Sequence, residues 1–139
     1  MERAIKIIRR ERHEFLNYLQ ILRGFFQLGK YDKVLEYIDR ISRNIQERQE
    51  FFRLFNPETA LILTELYYLL ESVEATLTIS GDKRGQYNKD FGPVVERFVL
   101  ENWELLKTFN GKKEVKIILD HFPRIELIVN DQKSQEQLL

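Results

Sequence analysis

The chain has 139 residues, of which 22 are basic and 22 acidic, so its formal net charge is zero and binding to nucleic acid through bulk electrostatics is not expected. It has no cysteine and only two histidines, without a His-x-x-x-His pair, which argues against disulfides, thiolate metal sites and a zinc site. No run of 18 apolar residues is present, so we expect no membrane-spanning segment and a cytoplasmic location.

The first 27 residues have the pattern of one amphipathic helix. Apolar residues recur at alternating spacings of three and four at Ile5, Ile8, Phe15, Leu19, Leu22 and Phe26. A narrow polar strip remains, consisting of Lys6, Arg9, His13, Asn17, Gln20, Gly24 and Gln27. His13 points about 120° or more away from the centre of the apolar arc, which predicts that it faces water. Apolar side chains cover most of the circumference, which predicts more than one neighbouring helix.

A second helix is predicted from about Asp32 to Phe55, with apolar residues at the same spacing. The connection is short, with Gly29 suited to a left-handed helix cap and Asp32 to an N-cap. Short connections make antiparallel neighbours, but two helices cannot cover this much apolar surface. We therefore predict that residues 1–55 form a helical hairpin and that two hairpins pair as a four-helix bundle in a homodimer.

Residues 56–139 are predicted to form a small α+β domain, which makes the whole chain α+β. Asn56 is a suitable N-cap and Pro57 a suitable first residue of a helix. The predicted elements are a helix over 57–73, a strand over 75–80, a helix over 91–109, and strands over 114–121 and 124–129. The polar segment 131–137 is expected to be frayed, and His121 is interpreted as a turn residue without a functional role.

Residues 12–24, Arg-His-Glu-Phe-Leu-Asn-Tyr-Leu-Gln-Ile-Leu-Arg-Gly, resemble the phosphoacceptor box of the sporulation initiation phosphotransferase B family. They also resemble the related box of citrate- and malate-type sensor histidine kinases. In that pattern, a His-acid-aromatic-x-Asn-x-Leu core is followed by an apolar run and a glycine. One departure is Glu14, where aspartate is the commoner residue. Residues 25–38 are similar to the hairpin turn of the same families.

The resemblance implies a histidine phosphotransferase of a two-component phosphorelay. Such a protein accepts a phosphoryl group from the aspartate of one response-regulator receiver domain and passes it to another, here in sporulation initiation. His13 would be the nucleophile and transient phosphoryl carrier, with Glu14 and Asn17 supporting or orienting the ring. The regulator-binding residues would be Arg9, Gln20 and Gly24. No metal ligand is expected in this chain, and Mg²⁺ is expected on the regulator.

The second domain resembles a degenerate histidine-kinase ATP-binding domain. Residues 56–80 look like its opening helix and strand, and Asn102 falls where such kinases carry an asparagine that helps to hold magnesium. Residues 129–131 resemble the strand end before the first glycine-rich nucleotide motif, but none of the six glycines follows them. Backbone N–H groups of such a loop hold the phosphates of ATP, so we expect no ATP binding and no ATP-dependent kinase activity.

Three other interpretations are open at this point. The chain could be the dimerisation core of a truncated sensor histidine kinase. It could be a non-catalytic dimeric adaptor that inhibits a kinase by mimicking its bundle. It could also be a helical dimer without phosphoryl chemistry. Phosphoryl label on His13 distinguishes the phosphotransferase from the last two.

Overall fold

The computed structural model describes residues 1–139, and the chain is α+β as predicted. It contains two compact units, Met1–Glu50 and Phe51–Leu139. The first unit consists of α1 (Glu2–Gln27) and most of α2 (Tyr31–Leu54). The division falls inside α2, whereas the sequence placed it between residues 55 and 56. None of the helices combines the length and apolar character that crossing a membrane requires.

The connection between α1 and α2 begins with a Schellman motif. Gly29 is left-handed, with φ of +70°, and the Lys30 N–H donates to the Phe25 carbonyl at 2.9 Å. The predicted glycine cap is thus present. Asp32 is not the predicted N-cap, because α2 already begins at Tyr31 and Asp32 lies inside its first turn. An acidic residue there still interacts favourably with the positive end of the helix dipole.

The sides of α1 and α2 that face each other follow a repeat of seven residues. We call this contact surface the seam. The buried and half-buried positions are Ala4, Ile7, Glu11, Glu14, Tyr18, Ile21 and Phe25 on α1, and Val34, Tyr37, Ile41, Asn44 and Arg48 on α2. The Tyr37 ring lies edge-on to the rings of Tyr18 and Phe25, with centroids 6.2 and 6.0 Å away. At the other end, Arg48 Nε donates to Glu11 Oε1 at 3.2 Å. These contacts define an antiparallel hairpin.

A second apolar stripe, displaced by one residue from the first, is exposed on both helices. We call it the open apolar face; its exposed members are Ile5, Ile8, Phe15, Leu19 and Phe26 on α1, and Tyr31, Leu35, Ile38 and Ile45 on α2. Phe15 is 58% exposed and Leu35 is 66% exposed. Because the helices are antiparallel, a shift of one residue turns both stripes toward the same side of the hairpin. The wide apolar arc that the sequence predicted for α1 therefore has two parts. One part is the seam, which is covered by α2, and the other is the open apolar face.

The second unit packs helices on a four-stranded sheet. Its elements are α3 (Pro57–Glu71), β1 (Thr76–Gly81), α4 (Gly92–Glu101), α5 (Trp103–Thr108), β2 (Lys113–Leu119), β3 (Arg124–Val129) and β4 (Gln132–Leu138). The strand order is β1-β2-β3-β4, with β1 parallel to β2 and the other pairs antiparallel. Alternate side chains of β2, including Val115, Ile117 and Leu119, join α3 and α4 in one core. Asn56 caps α3 as predicted.

The helix predicted over 91–109 is interrupted at Asn102. The Asn102 side-chain Nδ2 donates to the Phe98 carbonyl at 2.8 Å, and α5 begins at the next residue. Asparagine amides compete in this way with the backbone hydrogen bonds of a helix. The side chain that resembles a magnesium-holding asparagine is thus bonded to its own helix.

The polar segment 131–137 is not a frayed tail, because residues from Gln132 onward form the strand β4 (Gln132–Leu138). Asn130 and Asp131 have φ of +50° and +64°, the left-handed pair typical of a type I′ turn, and they fold the chain back onto β3. A tight hairpin therefore stands where the resemblance placed the start of a nucleotide loop. The register shifts between Leu127 and Ile128, so Ser134 of β4 has no partner in β3.

Candidate functional site

His13 lies on the exposed side of α1, away from the seam and from the open apolar face. Arg9 and Asn17, four residues before and after it, lie about 40° around the helix and about 6 Å along it. Gln20 lies about 20° around the helix and about 10 Å along it. All four side chains are exposed, so α1 brings them together in one polar strip.

The His13 imidazole has no partner within the chain. It makes no hydrogen bond, ion pair or ring contact, and it is exposed. Both ring nitrogens can therefore be approached by a group from another molecule. Attachment of a chemical group to this exposed ring requires no opening of the fold.

Glu14 is not placed beside the His13 ring. Adjacent residues on a helix point about 100° apart, and Glu14 belongs to the seam. It is only 9% exposed and forms an ion pair with Arg10, with 3.2 Å between Nη2 and Oε1. It also contributes to a raised pKa of Tyr37, for which burial is the larger cause and Tyr18 the next. The geometry therefore gives Glu14 a place in the hairpin and not the predicted role of orienting the ring.

Gly24 lies on the same side of α1 as His13, three turns further on. It is half-buried, and a Cβ added there would meet no atom within 4 Å. The packing of the chain therefore does not require a glycine at this position. A partner backbone that approaches α1 closely is a separate reason for one.

Leu16 is a neighbour of His13 that the sequence reasoning missed. Leu16 is 60% exposed and lies about 60° around and about 4.5 Å along α1 from His13. The seven-residue repeat indicates this exposure, because it places Leu16 in neither the seam nor the open apolar face. A single apolar side chain thus stands next to the imidazole.

His121, the second histidine, is an exposed residue of the bend between β2 and β3, as its interpretation as a turn residue required. The bend is held by Asp120, which accepts from the Phe122 N–H at 2.8 Å and from Arg124 Nη1 at 2.6 Å. Donation by Arg124 is the main reason that the pKa of Asp120 is lowered. The chain contains no group of three or more His, Asp or Glu side chains that could hold a metal ion.

The family model of the SpoOB-type sensor kinase, alpha-helical domain, matches residues 1–54. The match covers 54 of the 139 residues, and this part of the chain is similar to that domain family. The matched residues include the whole of α1 and α2, and His13 lies among them. This confirms the resemblance that residues 12–38 carry. No curated protein matches the chain.

Proposed function

We propose that the chain is a histidine phosphotransferase of a sporulation-type phosphorelay, which moves a phosphoryl group between the aspartates of two response-regulator receiver domains through His13. The observation that supports this most is the position of His13. It is exposed and without a partner on α1 of a SpoOB-type domain.

The reaction needs a nitrogen in line with the carboxylate that leaves. A lone pair of the uncharged imidazole attacks the phosphorus of the aspartyl phosphate, the new P–N bond forms, and the P–O bond to the aspartate breaks. The ring becomes cationic until its other N–H gives a proton to water. In the second half, the ring takes a proton back from water, the aspartate of the next regulator attacks phosphorus, the P–N bond breaks and neutral imidazole leaves. Neither half requires ATP.

The polar strip supplies the surface on which a regulator docks. Arg9 is placed to neutralise phosphoryl charge, and Asn17 to contact the regulator or orient the ring. Gln20 extends this surface, and Gly24 leaves room for a partner backbone. Glu14 is left out of the mechanism because it faces the seam. Mg²⁺ is expected in the acidic pocket of the regulator.

The dimeric four-helix bundle belongs to the same proposal. The open apolar face presents nine exposed apolar side chains in one stripe per helix, the arrangement that a second hairpin covers in a bundle. Leu19→Lys puts a charge at the middle of this face. The variant should be monomeric in analytical ultracentrifugation, whereas the unchanged protein is dimeric. A monomeric unchanged protein would contradict the bundle.

The phosphoryl proposal is tested by mixing the chain with a receiver domain that carries labelled aspartyl phosphate. Label should appear on the chain, be labile in acid and stable in base, and map to His13. His13→Gln should lose the label, and His121→Gln, the matched change at the other histidine, should keep it. Addition of a second receiver domain should remove label from His13.

Absence of label from the unchanged chain would overturn the proposal and leave the dimeric adaptor as the better interpretation. Label in His13→Gln would place the carrier elsewhere. Labelling by ATP in the absence of a receiver would instead favour the kinase core.

A further inference from the structure

The connection between α5 and β2 contains the dipeptide Asn110-Gly111, the one place in the chain where glycine follows an asparagine. Both residues are exposed. In such a pair the backbone nitrogen of the second residue can attack the side-chain amide of the first. A side chain on the second residue hinders this attack, and glycine has none. The dipeptide is therefore a candidate for covalent modification of the chain.

No hydrogen bond restrains the two groups that would react. The Gly111 N–H donates to no acceptor, and the Asn110 side-chain amide has no partner within the chain. The neighbouring residues are held in place. The Phe109 N–H donates to a carbonyl of α5 at 2.9 Å, and the Lys112 N–H donates to Asn130 Oδ1 at 3.2 Å. The amide and the nitrogen thus lie in a short unbonded segment between two fixed points.

Every other asparagine lacks at least one of these conditions. Five of them lie within helices or have a hydrogen-bonded side chain, namely Asn17, Asn44, Asn56, Asn102 and Asn130. Asn88 is the closest comparison because it is exposed in a loop, but Lys89 follows it. The lysine side chain shields the backbone nitrogen that would attack. Asn110 is therefore the asparagine that the structure leaves most open to attack.

The packing of the second unit requires glycine at position 111. A Cβ on Gly111 would lie 2.7 Å from Asn130 Oδ1 and 2.7 Å from Cε1 of the Phe109 ring. Asn130 is not free to move away, because its Oδ1 accepts from the Lys112 N–H and its own N–H donates to the Lys112 carbonyl at 2.9 Å. The contacts that exclude a side chain at Gly111 thus keep its nitrogen unshielded.

We propose that Asn110 is a site of spontaneous deamidation that produces isoaspartate. The Gly111 nitrogen loses its proton to hydroxide and attacks Cγ of Asn110. The new N–C bond closes a succinimide ring, and the bond from Cγ to the amide nitrogen breaks and releases ammonia. Water then opens the ring at one of its two carbonyls. Opening at the main-chain carbonyl leaves a peptide bond through Cγ, which is isoaspartate, and opening at Cγ leaves ordinary aspartate.

Isoaspartate lengthens the main chain by one carbon where the following residues cannot shift. Lys112 is bonded to Asn130 through both its N–H and its carbonyl, and the buried Lys113 donates from Nζ to two carbonyls. The added carbon must therefore displace the end of α5 or the start of β2. Ordinary aspartate adds only a charge at an exposed position. We expect isoaspartate, but not aspartate, to destabilise the second unit.

The test incubates the whole chain in mildly alkaline buffer and maps the products by tryptic digestion and mass spectrometry. Trypsin cleaves after lysine and arginine, so peptide 108–112 carries Asn110 and peptide 85–89 carries Asn88. The first peptide should gain the mass of an amide-to-acid exchange and separate into two products, whereas the second should stay unchanged. The rate in the folded chain should be within about threefold of the rate in guanidinium chloride, because no hydrogen bond has to open first.

Asn110→Gln is the matched variant, since its longer side chain closes a ring more slowly, and it should lose the modification. The isoaspartate form should unfold at a lower urea concentration than the fresh chain, and freshly prepared Asn110→Asp should unfold as the fresh chain does. A rate in the folded chain more than about tenfold below the rate in guanidinium chloride would overturn the site. Equal modification of Asn88 would do the same. An unchanged urea midpoint of the isoaspartate form would overturn its effect on the second unit.

Discussion

Replacement of Lys113 by methionine should destabilise the second unit through two helix ends. Lys113 begins β2, yet it is only 6% exposed. Its Nζ donates to the Val73 carbonyl at 2.6 Å, beyond the end of α3, and to the Leu106 carbonyl at 2.7 Å in α5. Hydrogen bonds from a charged donor contribute about 1.5–3 kcal/mol each. Methionine fills the space but leaves both carbonyls without that donor. Part of the lost stability is offset, because the variant no longer has to bury an ammonium group.

We expect Lys113→Met to lower the free energy of unfolding by about 3 kcal/mol. Urea unfolding followed by fluorescence measures it, because the single tryptophan, Trp103, lies in the second unit. Lys116→Met is the control on the opposite face of β2, where the lysine is one-third exposed and 3.5 Å from Glu114. It should cost less than about 1 kcal/mol. Equal losses in the two variants would refute the role of Lys113.

Three further predictions concern single positions. Gly24→Ala should raise the free energy of unfolding by up to about 1 kcal/mol, since alanine favours the helix and the space is open. It should nevertheless slow phosphoryl transfer from a receiver domain. Unchanged transfer would contradict a close approach of the partner backbone to Gly24. Gly92→Ala should lower the free energy of unfolding in urea by about 1–3 kcal/mol, because its Cβ would lie 2.7 Å from Ile62 Cδ1 and 3.2 Å from the backbone Cα of Thr59. The pKa of Asp82, lowered to about 2 chiefly by the hydrogen bond from Arg84, should rise toward 3.8 in Arg84→Gln when the carboxyl is titrated by NMR. Because the pKa of Asp82 is lower in the folded than in the unfolded chain, the Asp82–Arg84 pair stabilises the folded loop at neutral pH. This stabilisation is lost as the pH falls from about 4 to about 2. An unchanged titration midpoint in Arg84→Gln would show that Arg84 does not lower the pKa of Asp82.

Local signals predicted the hairpin well because they act over a few residues. The apolar spacing gave α1 nearly to the residue, and Gly29 marked its end. The same spacing did not separate the seam from the open apolar face, because both fall within one wide arc. The resemblance implied a role for Glu14 beside His13, whereas the helix turns the Glu14 side chain into the seam.

The errors in the second unit arise where a side chain overrides the pattern. Asn102 divides a helix whose apolar spacing runs through it. β4 has no apolar alternation, since it is an exposed strand, and only the Asn130-Asp131 turn indicates it. The buried position of Lys113 depends on the ends of two helices that are far away in sequence. No local pattern contains that information.

The irregular pairing of β4 has a consequence for how copies of the protein meet. A sheet border offers unused N–H and C=O groups to any neighbouring molecule, and uncontrolled growth there leads to fibrils. β4 carries an extra residue at Ser134, and the nearby Lys133 and Glu136 add charge. Such kinks and charges discourage strand addition. The border at β4 is thereby protected against strand addition by another copy of the chain.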